Sequence, residues 1–321
     1  MKQWIKPALT AAAMAIGMSA AQAQWPDKPI KLVVPYPAGG AADNTARIVA
    51  QHLGERLKQQ IIVDNRPGAS GTIGASYVAK APADGYTLLL DATSFTVNPS
   101  LFPKLSYDPA KDLAPVSLIM QVPLLMLVPA HSPYTSVASL VKAAKDKPGR
   151  LTFASAGSGG AQHLAAEMFA QEEKISMTHI PYKGGAPALT DLIGGQVDLM
   201  FSATTASGTF VKSGKLRPLA ITASKRLDSF PQLPTVAESG VKGFEVNEWN
   251  GLFAPAGTPQ PILARLETET RAVVSSPAVA SRFSEMGVQG VGSSSKDFAA
   301  FVKSETAKWA GVIKAGSIKV D

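Results

Sequence analysis

Two periods of apolar spacing alternate along this chain. Residues 31–35 (KLVVP) form a short apolar run that reads as a buried strand, and 43–57 follow with Ala46, Val49, Leu53 and Leu57 on one face of a helix. Residues 60–63 predict a second strand, Asn65-Arg66-Pro67-Gly68 a turn, 72–81 a helix, and 86–90 and 124–128 two more strands. The pattern then starts again. Residues 136–147 read as a helix that stops at Pro148-Gly149, 151–155 as a strand, and 161–171 as a helix with Leu164, Ala165 and Met168 in register. Further strands are expected at 177–181, 197–201, 216–222 and 252–255, with helices between the first three. Pro261 opens a helix toward Val274, and the last helix runs over 295–314. Such alternation predicts an α/β fold of mostly parallel sheets flanked by helices.

A strand–loop–helix junction of one design occurs twice. Residues 32–40 end in Pro37-Ala38-Gly39-Gly40, and residues 151–160 end in Gly157-Ser158-Gly159-Gly160. Two such units more than a hundred residues apart fit two lobes better than one long sheet. At a helix start the first N–H groups lack intrahelical partners, and glycine lets an anion approach them closely. Both loops are therefore candidate anion cradles, and Tyr182-Lys183-Gly184-Gly185 with Pro187 is a third. No Gly-Lys-Ser/Thr follows the glycines, and Gln162 stands where a dinucleotide fingerprint needs its last glycine, so nucleotide binding is not expected. A small carboxylate held by backbone amides of Gly39, Gly40 and Gly159 with the Ser158 hydroxyl fits better. Asp43, in the first helical turn, is expected to cap the helix, with any ligand contact secondary. Tyr36 is placed for its ring to close over a ligand. Thr93, Ser94, Tyr182, Thr204 and Trp249 lie near strand ends or loops where a crevice is expected, and His163, on the helix just beyond the second loop, completes the expected ligand-binding set.

Composition narrows the picture. With 321 residues, 45% hydrophobic and 17% charged, the chain has material for about two folded domains. Cysteine is absent, which removes thiol chemistry and disulfides. The formal charge is +7, but the densest basic cluster, Lys142, Lys145 and Lys147, is interrupted by Asp146 and reads as a solvated helix face, so no nucleic-acid partner is expected. Lys2 and Lys6, an apolar stretch over 8–21 and the ending Ala21-Gln22-Ala23 make a secretory signal peptide over 1–23, with cleavage expected after Ala23. Cleavage lowers the charge from +7 to +5. The expected product is an exported monomer, periplasmic in a two-membrane bacterium. His52, His131, His163 and His179 show no zinc spacing, and no metal or cofactor is expected. No enzyme is expected either, since Ala156 breaks the nucleophile-elbow pattern at Ser158. The alternative is a secreted hydrolase pairing Ser158 with His163.

These motifs, in this order, carry a family resemblance. Trp25-Pro26-Asp27-Lys28-Pro29-Ile30 leads into Val33-Val34-Pro35-Tyr36-Pro37-Ala38-Gly39-Gly40 with Asp43. Asn65-Arg66-Pro67-Gly68-Ala69, Ala83-Asp84-Gly85-Tyr86-Thr87-Leu88, Gly157-Ser158-Gly159 with His163-Leu164, and Pro181-Tyr182-Lys183-Gly184 follow. Asp191-Leu192-Ile193-Gly194-Gly195-Gln196-Val197-Asp198 and Gly251-Leu252-Phe253-Ala254-Pro255-Ala256-Gly257-Thr258-Pro259 complete the set. Over its whole mature length the chain resembles the Bug-type solute receptors of tripartite tricarboxylate transporters. The resemblance implies a two-lobed periplasmic-binding-protein fold (a Venus flytrap) that closes over an organic acid, pinched by the 37–40 and 157–159 loops. It implies a first lobe from 24–122 with 247–321 and a second from 123–246, crossing near Val122 and Val246. It also implies delivery of a mono-, di- or aromatic carboxylate to membrane permease subunits, or to a sensor. One departure stands out: Ala42 precedes the aspartate where many members carry Thr or Ser.

Overall fold

The computed structural model describes residues 25–319, and the expected leader over 1–23 lies outside the described residues. The chain runs β1 (Ile30–Val34), α1 (Ala41–Leu57), β2 (Ile61–Asn65), α2 (Thr72–Ala79), β3 (Thr87–Ala92), α3 (Ser94–Leu101), α4 (Pro109–Asp112) and β4 (Leu113–Pro129). It continues through α5 (Val137–Asp146), β5 (Thr152–Ser155), α6 (Ala161–Glu173), β6 (Thr178–Pro181), α7 (Gly185–Ile193), β7 (Leu199–Ala203), α8 (Thr204–Lys212) and β8 (Leu216–Ile221). The last elements are β9 (Asn247–Pro255), α9 (Gln260–Val274), α10 (Pro277–Glu285), β10 (Gln289–Gly290) and α11 (Ser295–Gly316). Local chemistry accounts for the clearest helices. In α5 the Ser136 hydroxyl accepts from Ser139 N–H while Ser139 Oγ accepts from Ser136 N–H, a reciprocal cap, and Val137, Leu140, Val141 and Ala144 are buried along one face.

The molecule is a two-lobed mixed α/β fold organised by one long strand. β2, β1 and β3 pair in parallel in the first lobe, and β7, β5 and β6 do so in the second. β4 belongs to both. It runs antiparallel to β9 as far as Val122 opposite Glu248 and Pro123 opposite Asn247, then antiparallel to β7 from Leu124 opposite Ala203. Pro123 has no N–H to give to a ladder, and it stands where β4 changes partner. The expected parallel pairing thus holds within each three-stranded unit, while every pairing of β4 and β9 is antiparallel.

The C-terminal helix touches both lobes. Near its start Phe298 is fully buried against Trp249 and Phe253, and near its end Trp309, Val312 and Ile313 join the larger core cluster. Gln171 of α6 donates to Val312 O at 2.9 Å. Burying side chains of this size contributes roughly 1.5–3 kcal/mol each.

Candidate functional site

Strand direction decides where the glycine loops open. β3 runs antiparallel to β9 with Ala92 opposite Asn250, so the C-terminal ends of β1, β2 and β3 lie toward the start of β9, beside the crossing. β7 ends at Ala203 opposite Leu124, which turns the C-terminal ends of β5, β6 and β7 to the same crossing. The β1–α1 and β5–α6 loops leave from those ends. Both therefore leave the sheet on the side of the crossing, at strand C-terminal ends, the usual place for a ligand in α/β sheets.

The two loops share their geometry as well as their direction. Gly39 has φ +82° and Gly159 φ +78°, a left-handed conformation that glycine tolerates freely. Gly40 (φ −78°, ψ 172°) and Gly160 (φ −76°, ψ 165°) are the N-caps of α1 and α6. In the first loop Gly39 N–H donates to Asp43 Oδ2 at 2.8 Å, and in the second Gly159 N–H donates to His163 Nδ1 at 3.0 Å. Each acceptor sits at the third helical position and ties the loop back on its own helix. The intrahelical ladders begin with Asn44 N–H to Gly40 O and Leu164 N–H to Gly160 O. Among the described residues, Gly40 to Asp43 and Gly160 to His163 therefore carry the N–H groups without partners, with the positive end of a helix dipole behind them.

This corrects one detail of the sequence-based expectation. The N–H groups of Gly39 and Gly159 serve their own loops, and the outward donors start one residue later. Asp43 is fully buried and also accepts from Arg47 Nε at 2.9 Å and Asn65 Nδ2 at 2.9 Å. The Arg47 hydrogen bond, above all, holds its carboxyl down to about 2. Asn65, expected in a turn, also donates to Tyr36 O at 3.1 Å. The Asp43 side chain thus anchors its own loop.

The first-lobe wall beside the loop is a hydrogen-bonded chain. Tyr36 OH donates to Asp91 Oδ1 at 2.7 Å and meets Ser94 Oγ, while burial pushes the Asp91 carboxyl up to about 7. Burial likewise drives the Tyr36 phenol well above its ordinary value. The Thr93 hydroxyl next to them is buried without a partner among the described residues. Ala38, Gly39 and Gly40 are exposed on the loop. In the second lobe Ser158 is half-buried on its loop, and Tyr182, whose N–H donates to Ser155 O, flanks it. Tyr182 OH donates to Asp191 Oδ2 at 2.7 Å, and burial, then Asp191, push it up to about 12.

Two expected site residues have their side chains engaged within the protein. Trp249 is buried in the first-lobe core, edge-on to Phe298 and Phe301, because alternation along β9 turns it toward α11. Thr204 donates to Gly287 O at 3.2 Å, which ties it to the segment before β10. His163 offers no base to Ser158. Its Nδ1 accepts from Gly159, its Nε2 faces Glu167 at 3.6 Å, and its ring stacks on His179 at 3.8 Å between centroids. His179, bonded to Ser155 Oγ at 2.7 Å, is held down to about 4, first by burial and then by His163.

The site residues that sequence reasoning misses are contacts between distant segments. Gln162, in the first turn of α6, accepts from Ala156 N–H at 3.1 Å and donates to Glu248 Oε1 at 3.0 Å. No local pattern could join positions 86 residues apart.

Comparison with known proteins places this architecture. The Tripartite tricarboxylate transporter family receptor profile matches residues 45–318. Protein BugT of Bordetella pertussis is 37% identical over 298 residues, spanning 92% of this chain and 91% of that protein. The R. palustris protein Rpa4515, solved with adipate, superposes with a TM-score of 0.81 at 39% identity, covering 92% of this chain and 100% of that one. The periplasmic binding protein BugD gives a TM-score of 0.78 at 36% identity, with 92% and 100% covered. Among the described residues no helix is long and apolar enough to cross a membrane. The chain belongs to the Bug-type receptors of the tripartite tricarboxylate transporter family.

Proposed function

We propose that this chain is a periplasmic solute-binding receptor that captures a small organic acid between its lobes and delivers it to the permease subunits of a tripartite tricarboxylate-type transporter. The observation that carries the reading is the matched pair of helix N-termini, one per lobe, at strand ends turned toward the crossing, with N–H groups at Gly40–Asp43 and Gly160–His163 that have no partner among the described residues. A carboxylate there accepts charge-assisted hydrogen bonds of about 1.5–3 kcal/mol each. The Ser158 hydroxyl joins from the second lobe, and Ala38, Thr93, Tyr36, Ser94 and Tyr182 form the surrounding wall. The first lobe comprises 24–122 with 247–321 and the second 123–246, with α11 reaching across. A ligand held by both N-termini favours the closed state by its differential affinity, and the closed state is what the permease reads. The leader is removed after Ala23, and the mature protein acts as a monomer without enzymatic turnover. The adipate found in Rpa4515 supports an acid of modest size.

Thermal melting against mono-, di- and aromatic carboxylates at fixed pH tests the reading. A ligand of the native state at a hundredfold excess over Kd adds about 2.7 kcal/mol of stability. If no carboxylate moves the transition, the receptor reading is wrong.

A further inference from the structure

Glu248 is a carboxyl group placed where an anion is to be bound. It sits opposite Val122, one residue pair before β4 leaves β9 and two before β4 takes up β7. Its neighbours turn the other way: Trp249 packs on Phe298 and Phe301, and Asn247 lines a cavity with Phe301, Ser304 and Lys308 of α11. Alternation along the strand therefore points Glu248 away from α11, toward the start of α6. There its Oε1 accepts from Gln162 Nε2 at 3.0 Å. Gln162 is the second residue of α6, and its own backbone N–H is one of the partnerless cradle donors. The carboxyl is packed round by protein and burial raises its pKa, yet the residue remains partly exposed. The carboxyl is thus hemmed in by protein beside the crossing without being sealed from solvent. No Lys, Arg or His forms an ion pair with it among the described residues, and no protein donor there reaches its Oε2.

An acceptor held rigidly beside an anion cradle discriminates between acids. A second carboxylate brought against it meets a like charge with reduced solvent screening, whereas a hydroxyl or ammonium finds an oriented acceptor. We infer that Glu248 sets the class of ligand: an acid whose carboxylate lies on the helix N-termini and whose carbon frame presents a hydrogen-bond donor, hydroxyl or ammonium, to Glu248 Oε2. This rests on the receptor reading above.

Calorimetric titration of the full mature chain tests it with matched sets of acids at four, five and six carbons and on a benzene ring. Each set holds an unsubstituted, a hydroxyl- and an amino-bearing member, the ring set carrying its amine on a methylene so that it is an ammonium at neutral pH. In whichever set binds, a donor-bearing member is expected to bind at least about tenfold tighter than its unsubstituted partner. Glu248→Ala levels that preference. Glu248→Gln, which keeps an acceptor oxygen but no charge, retains part of the preference for hydroxyl and loses that for ammonium. Melting curves for both variants confirm that they are folded. Equal binding of substituted and unsubstituted acids by the native protein, or an unchanged preference in Glu248→Ala, overturns the inference and leaves the receptor reading intact. Absence of binding by every acid overturns both.

Discussion

Asp43 and His163 occupy equivalent positions in the two lobes and perform one task with different chemistry. Each accepts the N–H of the preceding left-handed glycine. Asp43 does so as a carboxylate clamped by Arg47 and Asn65, and Asp43→Ala strips three donors of their acceptor at once. Denaturant unfolding of that variant should show a loss of about 2–3 kcal/mol, and a loss within error of zero would mean that the loop holds itself. Asp91 makes the opposite case. Its pKa, raised by burial from 3.8 to about 7, means that the folded state binds the extra proton between those values, so its contribution to stability falls as pH rises from about 4 to about 7. His179, lowered from 6.5 to about 4, works in the other direction: stability is lost as pH falls through that window. Asp91→Asn keeps an acceptor for Tyr36 and removes the buried charge. Its stability relative to the native protein should therefore grow between pH 4 and 7 by on the order of 2–4 kcal/mol and then level off, measured by urea melts across that range. Parallel pH profiles would show that the Asp91 carboxyl ionises in the folded protein at its ordinary value and is not shifted by burial. Asp43 is legible in the sequence as a cap because the loop and helix it joins are adjacent along the chain. Asp91 is not, since its partner Tyr36 lies 55 residues away and nothing local marks a buried carboxyl.

The elements most legible in the sequence are those whose apolar spacing and end signals agree. α1, α5, α6 and α11 lie within a few residues of the predicted spans because their apolar stripes and their flanking Gly, Ser or Pro residues agree. Only the second half of β4 is legible in this way. Its first part carries Pro115 and Pro123, which read as breakers, yet Pro115 stands at a register shift and Pro123 where the strand changes partner. α3 escapes for a similar reason: Pro99 interrupts an eight-residue helix with no clear apolar stripe. The cradles themselves can be tested at this scale without disturbing their turns. Proline at the first helical position removes one N–H and suits a helix start, and Gly40 before it already has the extended conformation that proline requires. Ala41→Pro should therefore leave the melting temperature nearly unchanged and weaken binding of the best acid about ten- to a hundredfold by calorimetry. Unaltered affinity would place the carboxylate off the α1 terminus. Gly40→Val serves as a companion, since Gly40 has negative φ and an added Cβ meets only Pro37 O at 3.5 Å, whereas valine at Gly39 would confound strain with ligand clash.

For the molecule as a whole, motion between lobes must pass through the two crossings, and one buried hydroxyl joins them. Thr222, fully buried just after β8, accepts from Leu124 N–H at 2.8 Å and donates to Val246 O at 2.5 Å. Its backbone completes the staple, with Thr222 N–H to Leu124 O at 2.9 Å and Val246 N–H to Thr222 O at 3.1 Å. Leu124 is the first residue of β4 to pair in the second lobe, and Val246 directly precedes β9, so the two connecting segments are pinned to a single residue. α11 adds a second constraint by packing on both lobes. The pivot is therefore short and buried, and the closure proposed above would bend the chain around Thr222 rather than stretch it. Thr222→Val keeps the shape and deletes the hydroxyl, leaving Leu124 N–H and Val246 O without that partner in a dry site. A loss of about 2–4 kcal/mol is expected, together with weaker ligand binding because the closed arrangement is no longer held in register. Thr222→Ser retains the hydroxyl and should recover most of both. Equal damage in the two variants would show that the methyl group, and thus packing alone, sets the geometry of the crossing.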